Sequence, residues 1–208
     1  ASWENAKEDQ FDYYMWLNND VVLLPHWYSD LFKDGVLNPQ REGCVIVGAC
    51  ADPATSAHTY GGFRLMPGPN PLKFKVIETD GTYQSCDTLN GNIVVIPSQT
   101  DTRIGGFPRH YKHNLADLAY GLTAKSRGVS MLLTPRPVGL CPRNAPQPLA
   151  PGIVERVRTA SHVKNYPLRQ WARFCLTYGG ARGVLSIIRP YIRASIGNRP
   201  AAISGNRI

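Results

Sequence analysis

The residues best suited to chemistry fall in three short clusters. The first is Asn18-Asn19-Asp20, which ends the apolar run Tyr13-Tyr14-Met15-Trp16-Leu17. In an open α/β sheet, ligands bind just beyond the carboxyl ends of the strands, so side-chain oxygens placed there face a cleft. A carboxylate at such a point is a hard ligand for a divalent ion that carries substrate phosphates. Taken alone, the segment reads equally well as a strand followed by an Asx turn. The second cluster, Asp87-Thr88-Leu89-Asn90-Gly91-Asn92, sets two amides on a tight backbone before an apolar strand. Those amides suit hydrogen bonding to a polyhydroxyl ligand, although an ordinary hairpin turn uses the same residue types. The third is His113…Asp117. Asp117 sits one turn into a predicted helix, where the dipole favours an ionised carboxylate. A base that deprotonates a hydroxyl needs such a group. Acids in a first helical turn are also common for stability alone, and His113 by itself reads as a helix-start residue as readily as a metal ligand.

The elements that must position these residues can be read from periodicity. Phe11–Leu17 reads as a strand behind a polar helical segment over Ala1–Gln10, and Leu24–Phe32 as a short helix opened by Pro25. Cys44-Val45-Ile46-Val47-Gly48-Ala49-Cys50 is a continuous apolar run of strand length, the pattern of a buried central strand. Ala51–Asn70, rich in Gly, Pro, Ser and Thr, reads as an irregular excursion. Lys73–Glu78 reads as an edge or hairpin strand with Asp80-Gly81 as its turn, and Asn92–Ile96 as a buried strand ended by Pro97. Leu115, Leu118, Ala119 and Leu122 recur at helical spacing within His113–Arg127, with Gly128 as the stop. Val129–Leu133 is one more short strand, and the Pro-rich stretch Pro135–Pro151 reads as a connector, marking a boundary near 150. Two amphipathic helical stretches follow, Pro167–Tyr178 and Arg182–Ile196, separated by Gly179-Gly180.

Composition narrows the class. With 43% hydrophobic and 18% charged residues, the 208-residue chain reads as globular rather than disordered. Its five cysteines are scattered without CxxC or Cys/His zinc spacing, which reads as reduced thiols in a cytosolic protein. No signal-peptide pattern and no bilayer-length apolar run is present. The formal charge of +8 is unevenly placed: residues 151–208 hold ten Lys/Arg against the single acid Glu155. The basic character therefore belongs to the tail, which suits an anionic membrane surface or an acidic partner. A nucleic-acid role is disfavoured, because no recognition motif and no clustered strand aromatics accompany the charge.

In order along the chain, Leu17-Asn18-Asn19-Asp20-Val21, Tyr60-Gly61-Gly62, Asp87-Thr88-Leu89-Asn90-Gly91-Asn92, Ile104-Gly105-Gly106-Phe107, His113…Asp117…Tyr120-Gly121-Leu122 and Pro137–Asn144 resemble the family 2 glycosyltransferases. These are inverting, nucleotide-sugar-dependent enzymes with a GT-A-like mixed sheet flanked by helices. The resemblance covers about residues 1–145, within a transferase-like domain over 1–150; residues 151–208 form a basic helical extension. It implies that Asp20, in the position of a DxD-like motif, binds a divalent metal (Mg or Mn) on the donor diphosphate. Asn18 stands where Asp is more common. It implies that Asp117 is the catalytic base, that His113 approaches the metal, and that Asp87, Asn90, Gly91 and Asn92, with Asn18, line the substrate side. A second acid, frequent two positions after the base, is replaced here by Ala119. The implied reaction passes a sugar from a nucleotide-sugar donor to a glycan or lipid-linked acceptor.

The family places two or three βαβ units of about 30 residues each before the metal-motif strand. Here that strand begins near residue 11, so the chain reads as the C-terminal portion of a longer polypeptide, inactive alone. Arginines interleaved with Trp171, Phe174, Tyr178 and Tyr191 suggest helices lying in a membrane interface, hence a cytoplasmic protein peripheral at the inner face of the membrane. A solvated helical cap is the plain alternative. The rival to catalysis is a transferase-like module that holds glycan or membrane and transfers nothing.

Overall fold

The computed structural model describes residues 11–32, 44–112, 114–143, 150–162 and 165–198. Its centre is strand β3 (Cys44–Ala51), whose side chains are buried almost without interruption. On one side β3 pairs antiparallel with β9 (Ile93–Pro97), which pairs antiparallel with β1 (Tyr13–Leu17). On the other it runs parallel to β10 (Ser130–Leu140), which is edged by β2 (Val22–Leu23). With β4 (His58–Tyr60) on β3 and β7 (Gln84–Ser85) on β10, this makes a seven-stranded mixed sheet. A second sheet of order β6 (Phe74–Val76), β5 (Gly62–Leu65), β8 (Thr88–Leu89) is antiparallel. The mixed sheet flanked by helices is the expected class.

Strand alternation divides β3 between two cores. Val45, Val47 and Ala49 pack with Val94, Ile96, Met131, Leu133 and the helical residues Tyr120 and Ala124. Ile46 and Cys50 face the other way, with Ile93, Val95, Val138, Cys141 and Leu31 of helix α1 (Trp27–Leu31). Gly48 lies on that second face, where a Cβ would stand 2.7 Å from Ile93 Cβ. Helix α2 (Ser98–Ile104) follows β9 directly and ends at Gly105, which takes a left-handed φ of 86°. Helix α3 (Asn114–Ser126) shows one apolar face to the sheet and another, with Leu115, Leu118 and Leu122, to the C-terminal helices. Gly121 lets α3 lie on β8, since a Cβ there would overlap Thr88.

Three sequence expectations change. The Pro-rich connector begins only after Leu140, because β10 runs on through Pro135 and Pro137. Prolines donate nothing to a ladder and are accommodated in sheets at bulges. The register shifts at this point, and Thr134 Oγ1 accepts from Ala49 N–H (3.0 Å) while donating to Arg136 O (2.9 Å). Across the bulge a side-chain hydroxyl thus takes the place of a backbone carbonyl as acceptor for β3. The stretch Ala51–Asn70, expected to be an irregular excursion from its Gly, Pro, Ser and Thr content, contains β4 and β5. The first helix is shorter than expected, Trp27–Leu31, since Leu24 N–H is held by Val138 O at the sheet edge. The Ala1–Gln10 segment lies outside the described residues.

The tail is a short helix α4 (Ile153–Ala160), not anticipated, and a helical hairpin α5 (Leu168–Ser195). Gly180, at φ 56° and ψ −147°, breaks α5 into two limbs, as the Gly179-Gly180 pair suggested. The limbs are antiparallel: Trp171 Nε1 donates to Ser186 O (3.0 Å), and the Tyr191 hydroxyl donates to Tyr166 O. Between them, Gly183 comes so close that a Cβ would overlap the Cys175 carbonyl oxygen. The first limb buries Trp171, Phe174 and Cys175 against Phe63, Leu72, Leu115 and Leu118. The aromatics expected at a headgroup boundary are therefore core residues, with Trp171 only 5% exposed.

Candidate functional site

Antiparallel pairing of β9 with β1 and β3 brings the start of β9 to the carboxyl ends of β1, β3 and β10. The Asn90-Gly91-Asn92 turn sits there and joins the other clusters. On one side, Asn18 N–H donates to Asn92 O (2.9 Å), extending the β1–β9 ladder past Leu17. Asn18 Nδ2 also reaches Asn92 Oδ1 at 3.4 Å. The chain then turns at Asn18, whose carbonyl accepts from Val21 N–H (3.2 Å), leaving Asn19 and Asp20 exposed. On the other side, Gly91 N–H donates to Asp117 Oδ2 at 3.0 Å. Within the turn, Asn92 N–H donates to Asn90 Oδ1 (3.2 Å), and Asn90 N–H to Gly61 O (2.9 Å). Asn90 and Asn92 are 8% and 7% exposed, so their amides are fixed by this network rather than free in solvent.

Asp117 is packed so that a Cβ on Gly91 would lie 2.9 Å from its Cγ. Only glycine allows the carboxylate to rest on the turn and accept its N–H. Burial raises the Asp117 pKa from the usual carboxylate range to about 6, with the Gly91 N–H pulling weakly the other way. The carboxylate therefore takes and releases a proton near neutrality. Behind it, Tyr120, one turn later, stands edge-on to Trp16 at 4.6 Å, and Trp16 edge-on to Phe107 at 5.3 Å. Phe107 remains 37% exposed and extends this aromatic wall to solvent.

The structure adds two residues that the motifs did not single out. Asn92 Nδ2 reaches Cys141 Sγ at 3.5 Å, and the Cys141 thiol faces Asp20. Burial, then the Asp20 charge, pushes Cys141 up to about 11; burial, then Cys141 and Asp20, takes the adjoining Cys50 up to about 12. Both thiols are thus held neutral and are not nucleophiles, and Cys141 hydrogen-bonds the Asp20 carboxylate. Cys50 closes the apolar run of β3 and Cys141 lies within Pro137–Asn144, but neither is given a role by the sequence. Asp87 is not brought to this cluster. Its carboxylate accepts from Leu65 N–H (2.7 Å) and pairs with Lys125 at the opposite end of α3, tying β5 to that helix. His113 lies outside the described residues.

Among the described residues, no three His, Cys, Asp or Glu side chains gather as a metal cage. Asp20 is instead one exposed carboxylate, a donor set that fits an ion arriving with phosphate oxygens and water.

No family model and no curated protein matches the chain. Among solved structures it is similar to the crystal structure of GalNAc-T7 with UDP, GalNAc and Mn2+, at 13% identity and a TM-score of 0.46. The match covers 94% of this chain and 40% of that one, so the chain spans about two fifths of that structure's length.

Proposed function

We propose that this chain is the metal-motif and acceptor side of an inverting, family 2-like glycosyltransferase, with residues 1–150 as its transferase part and 151–208 as a helical extension. One observation carries the reading: a single turn, Asn90-Gly91-Asn92, hydrogen-bonds the Asp117 carboxylate at Gly91 and the Asn18 loop at Asn92. In this reading the turn stands between the proton acceptor Asp117 and the loop of Asn18 that leads to Asp20, the donor-side carboxylate. The order of motifs in the sequence supports the same assignment.

In this reading Asp117 takes the proton from an acceptor hydroxyl as that oxygen forms its bond to the anomeric carbon. The bond from that carbon to the diphosphate breaks on the opposite face, and configuration inverts. A base with a pKa near 6 is largely ionised at neutral pH yet basic enough to share the proton in the transition state. Asn18, Asn90 and Asn92 orient hydroxyls, and the Phe107–Trp16 edge offers a sugar an apolar face. Asp20 would hold a Mg or Mn ion on the donor diphosphate, with His113 its expected neighbour; such an ion offsets charge on the leaving group. The acceptor is a glycan or a lipid-linked glycan, and the protein works peripherally at the cytoplasmic face of a membrane.

The test is transfer from a panel of nucleotide-sugars by the polypeptide that carries this chain, compared with its Asp117→Asn variant. The expected result is metal-dependent transfer that the variant loses by a factor on the order of 10²–10⁴. Saturable glycan binding with no transfer from any donor would favour a non-catalytic module and overturn the proposal.

A further inference from the structure

The second limb of the α5 hairpin breaks the usual pattern of burial. Gly183, Ser186, Pro190 and Ala194 are buried, and Gly183 and Ser186 lie against Cys175 and Trp171 of the first limb. Away from that seam, Val184, Leu185, Ile188, Ile192 and Ile196 stand 50%, 75%, 54%, 52% and 67% exposed. Spaced at intervals of one, three, four and four, they form one continuous stripe along the helix. Arg182, Arg189 and Arg193 follow the same stripe along one border, with Arg182 and Arg189 exposed. Contiguous exposed aliphatic surface bordered by charge marks an interaction site.

We propose that this stripe is a surface for an anionic lipid membrane, on which the limb lies flat with aliphatic side chains among acyl chains and arginines at phosphates. The inference rests on the membrane-side part of the reading above and not on its transfer chemistry. Charge complementarity selects the occupant. The described tail has a single acid, Glu155, which lies 3.8 Å from Arg158, so nothing acidic on it answers Arg182 or Arg189. A second copy seated symmetrically on the stripe would set arginines against arginines, which opposes self-association. No described helix is long and apolar enough to cross a membrane, so the limb lies on the surface. The aromatic belt that the sequence suggested is replaced by aliphatics, because the aromatic rings close the hairpin core.

The experiment is co-sedimentation of the purified protein with phosphatidylcholine vesicles, with and without about one third phosphatidylglycerol. Binding is expected only to the anionic vesicles, and it should weaken at least tenfold when salt is raised from about 0.1 to 1 M, as the Debye length shrinks from ~10 to ~3 Å. Arg182→Ala with Arg189→Ala should weaken it by a factor of about 30, two charges each counting near the surface. Leu185→Asp with Ile188→Asp should abolish it while leaving the circular dichroism spectrum and transfer to a soluble acceptor unchanged. Equal binding to neutral vesicles, or binding unchanged by the aspartates, would overturn the proposal. So would a concentration-dependent dimer in sedimentation velocity that the aspartates dissolve, since a second copy would then cover the stripe. Loss of transfer with vesicle binding intact would count against the enzymatic reading alone.

Discussion

Two regions of this molecule break the rule that polar groups face out and apolar groups face in, and they do so in opposite directions. At the end of the main sheet, Asn90 and Asn92 are buried and Asp117 is half-buried, with Asn90 Oδ1 and the Asp117 carboxylate accepting from the backbone of one turn. On the outer limb of the hairpin, five aliphatic side chains face solvent beside arginines. Neither arrangement helps the fold. Burying a carboxylate costs solvation, and exposing leucine and isoleucine forgoes burial that each could have gained. The intervening core, uniformly apolar in β3 and β9, shows what the chain does where stability alone decides. The contrast separates residues kept for packing from residues kept for encounters with other molecules.

The largest expected effect breaks the polar side of this comparison. Asp117→Asn keeps the shape and the Gly91 hydrogen bond but removes the proposed base. Transfer should fall by a factor on the order of 10²–10⁴. Stability should move the other way. A buried acid whose folded pKa is raised holds its proton more tightly folded than unfolded, so its effect is felt as pH rises from 3.8 to about 6. Across that window folding stability falls, and above it the deficit is constant. An amide has no charge to bury, so at pH 7 the variant should be more stable by on the order of 1–3 kcal/mol in urea titration. Wild-type transfer should decline below about pH 6 as Asp117 protonates. A variant that is inactive and also less stable would show that Asp117 holds the fold.

The next effect belongs to the hairpin. Gly183→Ala adds a methyl group where the Cys175 carbonyl oxygen already sits. Backbone cannot yield as a side-chain end can, so the limbs must separate. The cost should be about 3 kcal/mol in thermal or urea unfolding, with Trp171 fluorescence shifting as its contact with Ser186 is lost. Gly91→Ala is the parallel change at the site: a Cβ there meets the Asp117 side chain, which can swing aside. It should cost less stability, about 1 kcal/mol, and more activity. Together the pair distinguishes a glycine needed for packing from one needed for chemistry.

Much of this was legible in the chain. Uninterrupted apolar runs identified β3 and β9, and the Gly179-Gly180 pair marked the hairpin turn between two amphipathic stretches. The motif order put Asn18, Asn90, Gly91, Asn92 and Asp117 on the page before any geometry did. What stayed hidden was long-range. That Thr134 could carry β10 through two prolines depends on Ala49, 85 positions away. That Trp171 and Phe174 point inward depends on a partner face made by α3 and the second sheet, so amphipathicity alone could not choose core from membrane. Cys141 gave no sign of its place beside Asp20, because one cysteine without metal spacing says nothing about its neighbours.

The smallest expected effect concerns Asp87, which sequence places with the substrate residues and structure places elsewhere. Its carboxylate accepts from Leu65 N–H and pairs with Lys125, whose side chain is 49% exposed. An ion pair this open to water is screened and contributes about 0.2–1 kcal/mol. The Leu65 bond is shielded and contributes about 1 kcal/mol. Asp87→Asn should therefore cost about 1 kcal/mol or less, and Lys125→Ala less still, with a double-mutant cycle returning a coupling below 1 kcal/mol. Neither change should alter the KM for acceptor, since the pair sits at the opposite end of α3 from Asp117. A several-fold rise in KM for Asp87→Asn, with stability unchanged, would return Asp87 to the substrate side.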